Sequence, residues 1–294
     1  MKRLLLVYNP VSGHAAFKSK LDSIVEAFQR RGILLTMYRT RKNDHFDFVK
    51  FVTESHADGI IAAGGDGTLH AVVNWILNSK IELPVGIIGS GTSNDFASYL
   101  GINANLEAYF DRITAGNTRK VDVGFVNGDK YFINVASAGS FTAIAHEVNV
   151  KLKNTFGKLA YYIQGIGELP KFKAVKIQVY ADEVNFELDA FLFIVLNSGA
   201  VAGMNKIADF AKIDDGKLDF IAVKKCSPRR LMKIFRSILS GKGIDLSNED
   251  IFHLQSSKFN ISSTSDLMSD IDGEIGSPLP IVIETIPKIL DFFV

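Results

Sequence analysis

The chain has 294 residues, 47% of them hydrophobic and 22% charged, with a formal net charge of +1. That length suits two domains better than one, and the composition excludes a disordered or fibrous protein. A net charge near zero, with no basic stripe interleaved with aromatics, argues against a nucleic-acid partner. The single cysteine, Cys226, rules out an internal disulfide, no paired Cys/His spacing resembles a zinc site, and a reducing cytoplasm fits.

Met1-Lys2-Arg3 before "LLLVY" mimics the charged and apolar regions of a signal peptide, but the run stops at "NPVSG" without a small-residue cleavage site. It reads as a first buried strand, Leu4 to Tyr8. No window reaches the roughly 18 continuous apolar residues of a membrane-spanning helix. Further strands are predicted at Ile33 to Arg39, Gly59 to Ala63, Val85 to Ile88 and Lys120 to Val126, with helical patterns between most of them. This βαβα order predicts an α/β domain with an open, mostly parallel sheet and helices on both faces.

From Tyr131 the strand-like runs become longer and often consecutive: "YFINVAS", "AVKIQVYADEVNFELDAFLFIVLNS", "KIDDGKLDFIAVKK", "KFNISST" and "LPIVIE". They predict a mainly antiparallel β domain, with helical interruptions near 140–149, 157–169 and 228–241. The expected boundaries are 1–125 and 126–284, with 285–294, including the apolar run Lys288 to Val294, returning to the first domain. Two domains of different class leave a cleft where ligands bind.

Three loops carry the chemistry. Gly64-Gly65-Asp66-Gly67-Thr68 follows one predicted strand and opens a helix, the place where open α/β sheets bind ligands. Glycines let backbone N–H groups approach a phosphate, and a helix N-terminus favours the anion. Asp66 would repel phosphate directly, so it suits a magnesium ion or a hydroxyl beside the phosphate; a tight turn with an Asp helix cap is the alternative. "YNPVSG" (8–13), with Ser12 and Gly13, and "IIGSGTSNDFASYLG" (87–101), with Gly89, Gly91, Thr92 and Ser93 before Asn94-Asp95, sit at two more strand ends. Strand ends of a parallel sheet share one edge, so the three loops converge on one anion. The chain lacks a P-loop, a dinucleotide fingerprint, the protein-kinase pairs, HExxH and GxSxG. Nucleotide phosphates are the reading that fits.

"NPVSG", "AAGGDGTLHAVVN" and "GTSNDFA" together resemble the diacylglycerol kinase catalytic-domain family, which includes bacterial soluble diacylglycerol kinases and sphingosine and ceramide kinases. The resemblance continues through "KVDVG" (120–124), "YFINVASAG" (131–139), "LAYYIQGI" (159–166), "IDDGKLD" (213–219) and "DIDGEIG" (270–276), in family order. GGDGT itself is shared with NAD kinases and phosphofructokinases, so the resemblance implies a first domain of that type.

The resemblance implies a nucleotide-binding domain followed by a lipid-acceptor domain. ATP would lie against Asn9, Pro10, Val11, Ser12, Gly13, Gly64, Gly65, Asp66, Gly67, Thr68, Gly91, Thr92, Asn94 and Asp95, with Thr40 near the nucleotide. Asp66 would position Mg²⁺, Glu274 would be the general base, and Asp122 a supporting acid. A structural Mg²⁺ site would form at the "DDG" turn, from Asp215 and backbone carbonyls near Lys212 and Lys217; a plain Asp-Gly turn is the alternative. The implied reaction is transfer of the ATP γ-phosphate to diacylglycerol. The alternatives are another lipid acceptor, such as a sphingoid base or phosphatidylglycerol, and a silent lipid or nucleotide sensor. His70 and Ala71 stand where the family commonly has Asn and Glu, and "GSGT" replaces a proline-containing approach to the third loop.

A lipid acceptor implies a cytoplasmic enzyme meeting the inner face of the membrane peripherally, and a homodimer is an inference from the family alone. "SPRRLMKIFRSILSGKG" (227–243) places Leu231, Ile234, Phe235 and Ile238 on one helical face with Arg229, Arg230, Lys233 and Arg236 around it. Two accounts fit: an interfacial helix, or a helix packed on the second domain. "VKLKNTFGK" (150–158) has similar character. The 22 phenylalanines suit an acyl-lined pocket or a β core.

Overall fold

The computed structural model describes residues 1–10, 12, 16–41, 45–102, 105–139, 173–204 and 206–294. The helices expected near 140–149 and 157–169, and the segments 150–158 and 159–166, lie outside the described residues. The chain divides into two compact units, Met1–Val121 with Lys288–Val294, and Asp122–Pro287.

The first unit alternates strands and helices: β1 (Arg3–Tyr8), α1 (Ala16–Arg30), β2 (Leu34–Arg39), α2 (His45–Ser55), β3 (Gly59–Gly64), α3 (Asp66–Asn78), β4 (Val85–Gly89), α4 (Asp95–Tyr99) and α5 (Leu106–Ala115). The strands lie in the order β4-β3-β1-β2, all parallel. Leu4 to Val7 and Ile60 and Ile61 are fully buried, as continuous apolar runs must be in a sheet covered on both faces. Because the chain visits β2 on one side of β1 and β3 on the other, the direction of winding reverses at β1 and β3. Crevices for ligands open beyond the carboxyl ends of such strands.

Local chemistry fixes the ends of these elements. Asn105 caps α5 by accepting from Ala108 N–H (3.1 Å), and Gly116 ends it in the left-handed region at φ 82°. Tyr109 of that helix is fully buried and its hydroxyl accepts from Ile87 N–H of β4 (2.9 Å). Burial holds the Tyr109 phenol well above its usual pKa.

β5 (Thr118–Val126) leads into the second unit, which contains β6 (Lys130–Phe132), β7 (Val135–Gly139), β8 (Val175–Ala181), β9 (Val184–Leu196), β10 (Leu218–Lys224), α6 (Pro228–Ser237), β11 (Ile251–Ser256), β12 (Lys258–Ser263), β13 (Met268–Ile271) and β14 (Glu274–Pro278). The last strand, β15 (Ile281–Phe293), begins beside β12 and ends in the first unit, where Phe292 pairs with Val85. "LPIVIE" and the terminal apolar run are thus parts of one strand. Pairing in the second unit is antiparallel, including β7–β9, β8–β9, β9–β10 and β10–β11.

β10 is buried on both faces. Leu218, Phe220 and Ala222 join Phe132, Phe193 and Phe259 in one core, while Ile221 and Val223 join Leu231, Ile234 and Ile251 in another. These phenylalanines form a β core. Ser227 caps α6, Pro228 occupies its first turn, and a π-helical turn at Ile238–Lys242 follows, broken by Gly241 at φ 80°. The buried Leu231 and Ile234, with Phe235 and Ile238 packed behind them, show that the helix lies on the second unit with its apolar face spent.

Candidate active site

The three glycine loops of the first unit are bonded to one another at the carboxyl ends of β1, β3 and β4. Asn9 N–H donates to Ala63 O (3.1 Å), Ser90 N–H donates to Gly64 O (2.8 Å), and Thr40 N–H donates to Tyr8 O (3.0 Å). Asn9 Nδ2 reaches Thr68 Oγ1 at 3.3 Å, tying the first loop to the start of α3. Gly65 and Gly91 touch through their backbones. A Cβ on Gly91 would lie 2.5 Å from Gly65 Cα, and a Cβ on Gly65 would lie 3.4 Å from Ser12 Oγ. No side chain at either glycine permits this approach.

Gly65 occupies the cap position of α3 and offers no side-chain cap, while Thr68 N–H donates to Gly65 O at 2.9 Å. The first amides of a helix have no carbonyl partner one turn earlier within it, and an anion suits such a terminus. Thr92 and Gly67 are exposed nearby, Pro10 is buried, and Val11 and Gly13 lie outside the described residues.

Asp66 caps a helix, but a different one from its own. Its Oδ2 accepts from Asn94 N–H (2.8 Å) and its Oδ1 from Asp95 N–H (2.7 Å), so it closes the entrance to α4. Asn94 sits in the left-handed region at φ 52°, a conformation asparagine tolerates. Its side chain accepts from Gly91 N–H and donates to Gly91 O, both at 2.9 Å, which rounds the third loop into a ring. Asn94 and the buried Asp95 therefore shape the loop, with the Asn94 side chain committed to Gly91.

Magnesium fits this arrangement in a limited way. Among the described residues no three His, Cys, Asp or Glu side chains gather as a metal cluster. Mg²⁺ commonly uses one or two carboxylates, several waters and substrate phosphates, and Asp66 supplies a carboxylate at the start of α3.

In the second unit Asp122 is fully buried. Its N–H donates to Ile213 O, its Oδ2 accepts from Gly216 N–H (both 2.6 Å), and its carbonyl accepts from Asn197 Nδ2 (2.9 Å). It fastens the "IDDG" turn to β5. Asp215 in that turn is exposed and accepts from Lys217 N–H (3.1 Å) and Gln255 Nε2 (3.2 Å), with Lys212 exposed beside it.

Glu274 begins β14 directly after a two-residue turn, Asp272 at φ 52° and Gly273 at φ 90°. Both central residues have positive φ, as a tight hairpin requires. The Glu274 side chain is exposed and makes no hydrogen bond or ion pair among the described residues. Its position depends on Asp272, whose carboxylate accepts from the backbone N–H groups of Ile133, Asn134 and Val135 at 2.9, 3.0 and 3.0 Å. Asn197 Nδ2 also donates to Ile133 O (2.9 Å), and Ser198 Oγ donates to Asn134 Oδ1 (2.6 Å). Sequence reasoning missed Asp272, Asn134, Asn197 and Ser198. An Asp-Gly pair between two short strands was the one visible signal, and it marks a turn without naming what the acid holds.

Residues 3–126 match the family described as Diacylglycerol kinase catalytic domain, and residues 134–294 match the YegS C-terminal NAD kinase beta sandwich-like domain. The diacylglycerol kinase of Staphylococcus epidermidis is 36% identical over 280 residues, covering 95% of this chain and 88% of its own. The chain belongs to the diacylglycerol kinase family. The diacylglycerol kinase of Staphylococcus aureus is 35% identical over 293 residues, covering 99% of this chain and 92% of its own. A crystal structure of a diacylglycerol kinase from Bacillus anthracis superposes with a TM-score of 0.76 at 25% identity, covering 99% of this chain and 96% of that one. A second crystal structure from that organism reaches 0.83 at 26% identity, covering 99% and 94%. The family is one of lipid kinases. No helix among the described residues is long and apolar enough to cross a membrane.

Proposed function

We propose that this protein transfers the γ-phosphate of ATP to the hydroxyl of diacylglycerol, giving phosphatidic acid and ADP. The observation that carries the reading is the backbone contact of Gly65 with Gly91, bordered by Ser12 and the uncapped start of α3, in a chain of the diacylglycerol kinase family. Phosphoryl transfer asks little covalent chemistry of a protein; it needs positioned phosphates, neutralised charge and a base at the attacking hydroxyl. The glycine loops and α3 amides bind the phosphates. Asp66 keeps the third loop closed and is the residue that would hold Mg²⁺, which when bound neutralises phosphate charge.

Glu274 accepts the proton of the acceptor hydroxyl as its oxygen bonds to the γ-phosphorus and the bond to the ADP oxygen breaks. An exposed carboxylate with no partner is available for this. Asp122 supports the site indirectly, through the turn at 213–216. A metal at Asp215 belongs to the same proposal, as does a cytoplasmic enzyme that meets the membrane from its inner face.

The test is transfer of labelled γ-phosphate from ATP to diacylglycerol in mixed micelles with Mg²⁺, for wild type, Asp66→Ala and Glu274→Gln. Wild type should form phosphatidic acid. Glu274→Gln should lose roughly 10²- to 10⁴-fold in kcat with an unchanged melting temperature. A folded, ATP-binding wild type that leaves diacylglycerol untouched refutes the reading.

A further inference from the structure

We propose that Asn197 is a positioning residue for phosphoryl transfer. From inside the second unit it grips the peptide group that Asp272 holds from the other side, and so fixes where the Glu274 carboxylate stands. The inference deepens the kinase reading and rests on it for the role of Glu274.

Asn197 directly follows β9 and is 1% exposed. Its backbone N–H donates to Asn134 O (2.8 Å), and its Nδ2 donates both to Asp122 O of β5 and to Ile133 O, each at 2.9 Å. The double donation fixes which way the amide faces, because exchanging its nitrogen and oxygen would set an oxygen against two carbonyls. Oδ1 is then left buried with no partner among the described residues. A purely structural residue gains nothing from an orphaned acceptor, which opposes folding. What Asn197 contributes is the pair of N–H donors, from a side chain short enough to sit between two backbones.

Those donors reach the base through one peptide plane. Ile133 O and Asn134 N–H belong to the same trans peptide and point in opposite directions. Asn197 Nδ2 holds the oxygen, and Asp272 Oδ1 accepts from the N–H at 3.0 Å. Hydrogen bonds at the two ends of an amide polarise it and strengthen one another. Beyond Asp272 comes Gly273 at φ 90°, whose N–H donates to Asp270 Oδ1 (2.9 Å), and then Glu274. The Glu274 side chain has no partner of its own among the described residues, so its place is inherited from this backbone. A displacement of about 1 Å at a reacting group can lower a rate on the order of 100-fold.

A double-mutant cycle on the kcat of the full chain with diacylglycerol, from Asn197→Ala, Glu274→Gln and the two combined, tests the proposal. Asn197→Ala should lower kcat roughly 10- to 100-fold with the KM for ATP unchanged. In the Glu274→Gln background the same substitution should lower it less than about twofold, because the group it positions is gone. An unchanged kcat in Asn197→Ala overturns the proposal. So do equal fold-losses in the two backgrounds, since a general loosening of the fold acts in both. Asn197→Ser, which keeps one donor, takes the place of Asn197→Ala where the latter does not fold, with the same outcomes. Amide hydrogen exchange needs no turnover: Asn197→Ser should speed exchange at Ile133, Asn134 and Val135 roughly tenfold relative to the amides of β8. Unchanged protection at 133–135 overturns the proposal. Faster exchange there, in a protein whose wild type binds ATP but leaves diacylglycerol untouched, upholds the hold on the hairpin and refutes only the acceptor.

Discussion

The glycine loops and the Glu274 hairpin are both fastened by aspartates, yet they are built differently. In the first unit, two glycines in contact create the close approach and Asp66 closes it with two hydrogen bonds to the backbone. In the second, Asp272 carries the join between the hairpin and residues 133–135 with three. One site depends on side chains being absent, the other on a side chain being present. An acid in a motif is thus read too quickly as a metal ligand or base when its first task is to satisfy amides.

Breaking the second arrangement should have the larger effect. Asp272→Ala strands three backbone donors and should cost about 3–5 kcal/mol, seen as a melting temperature lower by roughly 10 °C. A melting curve like that of wild type would remove the contrast. Gly91→Ala places a Cβ against the Gly65 backbone and should cost about 1–3 kcal/mol, while weakening ATP binding more than tenfold by calorimetry. Undiminished ATP affinity would show that the glycine contact is not what the nucleotide needs.

Asp219 sharpens the comparison, because it is a buried acid hydrogen-bonded to a side chain, His253 Nε2 at 2.7 Å. Burial pushes its carboxyl above the ordinary 3.8, with His253 opposing. A raised folded-state pKa means that its proton stabilises the fold fully below 3.8, and that this stabilisation is lost as pH rises through the raised value. The unfolding free energy of wild type relative to Asp219→Asn should therefore fall as pH rises across that window. A difference that rises with pH there would reverse the assignment.

The parallel sheet was legible chiefly from β1, β3 and β4, whose short apolar runs lead into loops, in β3 and β4 at a glycine, as at "GIIAAGG". The class of the second unit was legible from long β-rich runs, but not its register or its two cores. Nothing in "KLDFIAVK" says that Phe220 and Ile221 face different cores, because a strand buried on both faces shows no alternation. The site was legible as a set of loops. The target of Asp66 was not, since its partners lie 28 and 29 residues along the chain and are backbone amides, which every residue carries. The role of Asp272 was hidden for the same reason, across more than 130 residues.

The amide that Asp66 holds at Asp95 has one more consequence, for chemical ageing. Asparagine deamidates when the backbone nitrogen of the next residue attacks its side-chain carbonyl carbon. For Asn94 that nitrogen is the one bound to Asp66 Oδ1 at 2.7 Å, and its own side chain is held on both sides by Gly91. The contact that shapes the third loop therefore also withholds the nucleophile that would convert Asn94 to an acid beside the glycine loops.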